Sequence, residues 1–539
     1  MENTKKLSLI IVLLLLFLTT QVGFSQSGII GDSIIWRIAE NVLTIGGTGA
    51  IPNYGLIIAD SSGRYTIAPW GIHRKSFTVA VIESNVISIG DLAFYGCTGL
   101  TSINVDSNNL HLSSVDGVVF NKDQTTMLLY PRGKQGAYVI PDGVISISGG
   151  AFFDHLDLTA VTIPNSVNRI GGRAFQGCTG LSSIIIPNSV TEIGWGAFLY
   201  CSGLTAITIP SSVTFIQGHS TFDGCIRLTS INVDPENPHY SSIDGVVFNK
   251  DQTKLIVYPR GRQGAYIVPD GVNSIEWEAF SRCAGLTSIT FPNSVTSIKT
   301  YAFTYCTGLT SITFPSRMET IRYDAFRFCD NLTSMDVAPD NPNFSSVDGV
   351  VFNKDQTALV LYPRGRQGAY AISNCISTVE QGAFYECAGL TSVIIPNSVI
   401  AIGDYAFERC TGLTSVTIPD GVTWVGNSAF QYCFNLTSIC IPNSVISIGS
   451  LAFSACTGLV SVTLSKRLIS IEGNAFSGST SLTSVISRSS TPPTVLQSFG
   501  STLGAFFGLS NTCLYVPKKS VRTYQSVTGW SNFSCIKAR

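Results

Sequence analysis

A phenylalanine recurs along this chain at intervals that only a repeating backbone produces. Phe94, Phe152, Phe175, Phe198, Phe222, Phe280, Phe303, Phe326, Phe384, Phe407, Phe430, Phe453 and Phe476 each follow Ala, or once Thr. They are separated by 58, 23, 23, 24, 58, 23, 23, 58, 23, 23, 23 and 23 residues. The unit is therefore 23 residues, with three units enlarged to 58. A period of this length marks supersecondary units that bury their apolar faces only against one another.

A short unit reads Ala197-Phe198-x-x-Cys201-x-x-Leu204-Thr-x-Ile207-Thr-Ile209-Pro210-Ser-Ser-Val213-Thr-x-Ile216. A Leu lies six residues after every one of the Phe residues, from Leu100 to Leu482. Leu-x-x-Ile-x-Ile has the period-two pattern of a short strand. The following Pro, as at Pro187, Pro292 and Pro419, lacks an N–H and ends the ladder. Val-x-x-Ile makes a second brief extended segment, and Ala-Phe-x-x-Cys a compact turn. Gly stands after that Ile in some units (Gly90, Gly171, Gly194), while Glu276, Lys299 and Arg322 stand there in others. A left-handed backbone would not accept those side chains cheaply, so the position reads as an exposed, unstrained turn.

The predicted fold is a repeat solenoid, leucine-rich-repeat-like and β-rich with short helical turns. It has about thirteen coils plus N- and C-terminal caps. Residues 26–90 form the first cap, 91–485 the solenoid, and 486–539 the second cap. There Val521, Tyr524 and Val527 lie at helical spacing after Pro517. Enlarged units fall near 101–150, 229–278 and 333–382. Each carries Asp-Gly-Val-Val-Phe-Asn-Lys-Asp-Gln-Thr and then an apolar stretch ending in Tyr-Pro, which reads as a β-hairpin with a polar turn.

Lys5 and Lys6, the apolar run Leu7 to Leu18 and the small polar stretch to Ser25 form a secretory signal pattern, with cleavage expected near Ser25–Gln26. A run of about a dozen residues falls short of the ~20 that span a bilayer, so no membrane insertion is expected after cleavage. Net charge is −1, which implies no nucleic-acid footprint. Charged residues are 12% of the chain, against about 25% in a usual soluble domain. Hydroxyls and amides supply the surface polarity instead, as suits an extracellular module.

Eleven of the fifteen cysteines sit three residues after the Phe, from Cys97 to Cys456. Equivalent positions in register form a column, and pairing would break that equivalence. His155 and Ser479 replace Cys in two units. The column therefore reads as reduced and buried, Cys acting as a small hydrophobe. Cys513 and Cys535 are the one plausible disulfide. No Cys or His spacing suits a metal, and no nucleophile–base set or phosphate loop stands out, so no cofactor and no enzymatic activity are expected.

Two surfaces are candidate binding sites. One is the strand face, where Thr-Ser pairs such as Thr287-Ser288 and Thr414-Ser415 form hydroxyl columns that could equally satisfy one another. The other is a basic-aromatic segment repeated in the enlarged units: Tyr130, Arg132, Lys134, Tyr138; Tyr258, Arg260, Arg262, Tyr266; Tyr362, Arg364, Arg366, Tyr370. Three copies would give avidity. The competing reading is a buttressing turn whose arginines pair with nearby acids. Aromatics clustered on one face would favour a glycan-binding platform, and a uniform hydroxyl face a scaffold.

The repeated unit from Ile89 to about Val485, the Asp-Gly-Val-Val-Phe-Asn strings and the Leu514-Tyr-Val-Pro517…Tyr524…Trp530…Phe533 pattern closely resemble the BspA-like leucine-rich-repeat family of bacterial surface and secreted proteins. The resemblance implies export to the cell surface or beyond, and adhesion to extracellular protein or glycan ligands such as host matrix proteins. It carries no catalytic or cofactor residue. The expected function is thus a secreted or cell-surface binding protein; the alternative is a scaffold repeat protein of the envelope or matrix without a dedicated ligand.

Overall fold

The computed structural model describes residues 26–31, 33–54, 67–216, 219–496, 504–509 and 511–539. The expected signal segment, 1–25, lies outside the described residues. The chain divides into two compact units, Met1–His239 and Tyr240–Arg539. Each is a stack of β-coils.

In the second unit, the Leu-x-x-Ile-x-Ile stretches of successive coils pair in parallel, as Ser438–Cys440, Ser461–Leu464 and Ser484–Ser487, and the ladder continues through the terminal strands Cys513–Val516 and Cys535–Ala538. The Val-x-x-Ile stretches form a second parallel ladder of two-residue strands, from Thr378–Val379 through Ala401–Ile402, Trp424–Val425 and Ser447–Ile448 to Thr494–Val495. The first unit repeats the arrangement, with Ala206–Ile209 on Ser230–Val233 and Arg169–Ile170 on Glu192–Ile193.

The Ala-Phe turn is no strand, yet it makes a third ladder. Tyr405, Phe407 and Arg409 donate their N–H groups to the carbonyls of Asn427, Ala429 and Gln431 in the next coil, at 2.7–2.8 Å. Alternate residues can all face the next coil because the two flanking the Phe are left-handed: φ is 59° at Tyr405 and 60° at Arg409. This recurs at Tyr301 and Tyr305 around Phe303. The position read as an exposed turn, two residues earlier, is indeed not left-handed. At Gly171, Gly194, Gly426 and Gly449, however, it is buried: a Cβ on Gly194 would fall 2.4 Å from Gly172 N, so glycine permits close approach of backbones there.

Within each run of coils between the enlarged units the core is an aromatic column, Tyr258 to Phe326 and then Tyr362 onward in the second unit. Phe384, Phe407, Phe430, Phe453 and Phe476 are fully buried, and neighbouring rings stack with centroids 4.7–5.3 Å apart and planes within 10°. That separation is close to the ~4.8 Å between paired strands, so ring stacking and strand pairing are satisfied by one repeat distance. Each buried Phe contributes about 2–3 kcal/mol from burial, with roughly 0.5–1.5 more from each ring pair.

The column also shows coils that the Phe spacing hides. Tyr130 and Tyr362 occupy the Phe place: Tyr362 N–H donates to Ala383 O at 2.8 Å, as Phe384 does to Ala406. Phe506 stacks on Phe476 at 5.2 Å, and Trp70 lies 5.8 Å from Phe94. The units together hold about twenty turns rather than thirteen coils.

Each enlarged unit contains two hairpins, not one. Leu112–Val115 pairs antiparallel with Val118–Asn121 through Asp116 (φ 49°) and Gly117 (φ 76°), the two positive φ values of a type I′ turn. Val118–Asn121 pairs in turn with Thr126–Leu129, which rejoins the short-strand ladder at Ser146–Ile147. Phe344–Val347, Val350–Asn353 and Ala358–Leu361 repeat this. A fully buried Asn locks each entry. Asn341 Nδ2 donates to Pro315 O and Met318 O, and its Oδ1 accepts from Asn343 and Phe344 N–H.

At the C-terminal end, Val521–Ser526 forms the helix expected from its spacing, and buried Tyr524 and Trp530 cover the last coils. Cys513 and Cys535 are bonded. The other thirteen cysteines are free, and the column is buried with a function beyond packing. The Cys410, Cys433 and Cys456 thiols donate to the Phe carbonyl of the preceding coil at 3.1–3.2 Å. Ser479 Oγ does the same to Phe453 O at 2.9 Å, and His155 Nε2–H to Tyr130 O at 2.9 Å. The position calls for a small or flat donor, which Cys, Ser and His all supply. Burial pushes the Cys387 and Cys456 thiols up to about 12, so they are poor nucleophiles. Thiol titration should accordingly find two reactive groups in the native protein, Cys375 and Cys440, and thirteen after denaturation.

Candidate binding surface

The basic-aromatic segment is built into the stack. Tyr130, Tyr258 and Tyr362 are buried, lie 4.8–5.0 Å from Phe152, Phe280 and Phe384, and are covered at 4.7–4.8 Å by Tyr138, Tyr266 and Tyr370. Arg132 pairs with Asp154 at 3.0 Å. Arg260 is 3% exposed and donates to the carbonyls of Tyr258, Ala279 and Glu278. Arg364, equally buried, pairs with Glu386 at 3.1 Å and donates to the carbonyls of Tyr323 and Tyr385. Arg262 and Arg366 lie over the Tyr258 and Tyr362 rings. Lys134, Arg262, Arg366 and the second tyrosine of each copy keep partial exposure. Arg260 and Arg364 present no surface to a partner. The geometry is the buttress, with one acid pair each at Arg132 and Arg364 and backbone carbonyls at Arg260.

The threonine hydroxyls of the strand face bond to backbone carbonyls of the preceding coil. Thr414 Oγ1 donates to Thr391 O at 3.1 Å, and Thr437 Oγ1 to Thr414 O at 3.4 Å, coil after coil.

The turn face differs between units. In the first, the left-handed position two residues after the Phe is chiefly glycine (Gly96, Gly177, Gly224). In the second, the same position carries Arg282, Tyr305, Phe328, Glu386, Arg409 and Tyr432, and only then the small residues Ala455 and Gly478. A left-handed L-residue costs roughly 1–2 kcal/mol that glycine would avoid. Here the side chains that cause the strain stack on one another. Arg282 lies 4.8 Å from the Tyr305 ring, Tyr305 stacks on Phe328 at 4.4 Å, and Arg409 lies 4.6 Å from the Tyr432 ring. Arg327 joins the rows, over Phe328 and Tyr385 and paired with Glu386 at 2.7 Å. This aromatic–guanidinium surface was not anticipated from the sequence. Its residues share a face only once the Phe turn is known to place them two positions out. Among the described residues no cluster of His, Cys, Asp or Glu could hold a metal ion.

Residues 72–133, 134–254, 264–376 and 377–500 match the BspA type leucine-rich repeat region, in six copies. The chain belongs to the BspA-type leucine-rich-repeat family. Among solved structures, a leucine-rich repeat protein from Eubacterium ventriosum is 26% identical, over 76% of this chain and 95% of its own, with a TM-score of 0.45. A leucine rich cell surface protein from Faecalibacterium prausnitzii is 29% identical, over 74% and 98%, with a TM-score of 0.43. No curated protein matches.

Two substitutions probe the network around Glu386. Arg364→Ala leaves a buried carboxylate with one partner, Arg327, and should destabilise the protein by roughly 3 kcal/mol in denaturant unfolding. Glu408 sits beside Glu386 and Arg409. Burial, reinforced by Glu386, raises its carboxyl from the ordinary 4.5 to about 7. The folded state then holds this proton more tightly than the unfolded chain. Its stabilising contribution is full below about pH 4.5 and is lost as pH rises through 7. Glu408→Gln should match the parent melting temperature at pH 4 and exceed it at pH 8.

Proposed function

We propose that this BspA-type protein is a secreted or cell-surface binding protein of the adhesin kind, and that it recognises an extracellular protein or glycan through the turn face of its second unit. The carrying observation is the left-handed column there. Coils need only a turn at that position, and glycine supplies it without strain at Gly96, Gly177 and Gly224. Tyr305, Phe328, Arg282 and Arg409 accept the strain to display aromatic and guanidinium groups, the residue types that dominate binding hot spots. The signal pattern of residues 1–25 supports export, and among the described residues no helix is long and apolar enough to cross a membrane. The strand face, its threonine hydroxyls bonded to the preceding coil, supports a structural role for that column.

The test is the protein of residues 26–539 on a panel of matrix proteins, glycans and bacterial cells. Tyr305→Gly with Phe328→Gly relieves left-handed strain while deleting the display. It should shift the melting temperature little and weaken capture at least tenfold, about 1.4 kcal/mol. Unchanged capture, or no capture by the parent, would favour the scaffold reading.

A further inference from the structure

The inserted hairpins of an enlarged unit separate two Phe turns that would otherwise be neighbours, and the gap between them is treated differently at two places. In the second unit it is filled. Tyr323, three residues before Phe326, packs its ring on Tyr385 at 5.4 Å and lies against Gly382, where a Cβ would fall 2.2 Å from the ring. Arg327 and Arg364 close the rest on Glu386. In the first unit the corresponding residues are Asp91 for Tyr323, Tyr95 for Arg327, and Phe153 for Tyr385. Gly150, the counterpart of Gly382, has nothing nearer its Cβ direction than Phe153 Cβ at 3.8 Å. A cleft of about 460 Å³ results, lined among others by Tyr54, Asp91, Tyr95, Arg132, Phe153 and His155. That size lies within the range of roughly 300–1,000 Å³ typical of small-molecule sites.

Its chemistry is specific. Tyr95 and Phe153, ring centroids 5.9 Å apart, give an aromatic wall. Arg132 lies 4.9 Å from the Tyr95 ring and donates through Nε and Nη2 to Asp154, leaving Nη1 without a bond among the described residues. Tyr54 Oη and His155 Nδ1 are buried polar atoms without partners. Because His155 Nε2–H is committed to Tyr130 O, Nδ1 is a bare acceptor. Burial holds His155 down at about 4 and Tyr54 up at about 12, so both are neutral near pH 7. Arg132 and Arg173 balance Asp91 and Asp154, so the cleft favours neither an anion nor a cation. Unmet donors and acceptors beside aromatic rings, at balanced charge, suit a pyranose: its C–H face packs on a ring and its hydroxyls both donate and accept.

We propose that this cleft binds a neutral sugar unit, a hexose or N-acetylhexosamine at the end of a glycan. The site is separate from the turn face of the second unit and stands or falls independently of it.

The probes are the methyl glycosides of glucose, galactose, mannose and N-acetylglucosamine, with glucuronate and a lysine-rich peptide as charged comparators. They are titrated against residues 26–539 by saturation-transfer NMR and calorimetry. At least one neutral glycoside should saturate with a Kd of roughly 0.1–10 mM. Asp91→Tyr, which copies the filling of the second unit onto an exposed position, should abolish that binding at an unchanged melting temperature. Tyr95→Ala should weaken it about fivefold or more, and Tyr305→Gly should leave it intact. No saturation by any neutral glycoside, saturation by a charged comparator alone, or full affinity in Asp91→Tyr would overturn the proposal.

Discussion

Coil-to-coil contact is the interaction on which everything else in this molecule rests. A single 23-residue turn cannot bury its Phe, Leu, Cys and Ile side chains, nor satisfy its backbone, without a neighbour above and below. Three ladders meet that need at one spacing. Two are ordinary parallel strand pairings. The third runs through the Phe turn, where left-handed residues on each side let Tyr405, Phe407 and Arg409 all donate along the stack. The stacked rings and the thiol-to-carbonyl bonds of the Cys column lie directly beneath this ladder.

The same constraint explains where variety is allowed. Inward positions repeat with little change, because each must match its copy one coil away. Outward positions carry no such demand, and the two units use that freedom differently. The first keeps glycine at most left-handed sites and leaves a cleft open at its enlarged unit. The second fills the corresponding cleft with Tyr323 and Arg364 and lines its turn face with stacked aromatic and guanidinium groups. Binding capacity in such a fold comes from what is hung on an invariant frame.

Much of the frame was legible from spacing alone. The Phe intervals identified the solenoid, Leu-x-x-Ile-x-Ile its long strands, and the register of the Cys column its free, buried state. Other coils were hidden because the marker changed: Tyr-Pro-Arg-Gly replaces Ala-Phe-x-x-Cys at Tyr130 and Tyr362, and Ala505-Phe506 stands off the 23-residue step. The Asp-Gly pair between Leu112–Val115 and Val118–Asn121 was a readable hairpin signal overshadowed by the longer polar turn after it. The binding surfaces were far less legible. Left-handed positions ordinarily announce themselves through Gly or Asn, and here Tyr, Arg and Phe occupy them. The repetition of Tyr-Pro-Arg in three copies drew attention to residues whose guanidiniums are largely committed to the stack. Openness of the first cleft depends on Asp91 standing where Tyr323 stands later, a difference without meaning until the coils are superposed in register.

The third ladder can be tested directly by hydrogen exchange followed by mass spectrometry, on peptides covering residues 403–410 and 426–433. If the Phe turns are bonded coil to coil, their amides should exchange as slowly as those of the parallel strand Ser461–Leu464, although their backbone is that of a turn. Exchange at the rate of a solvated loop, while the strands stay protected, would contradict the account.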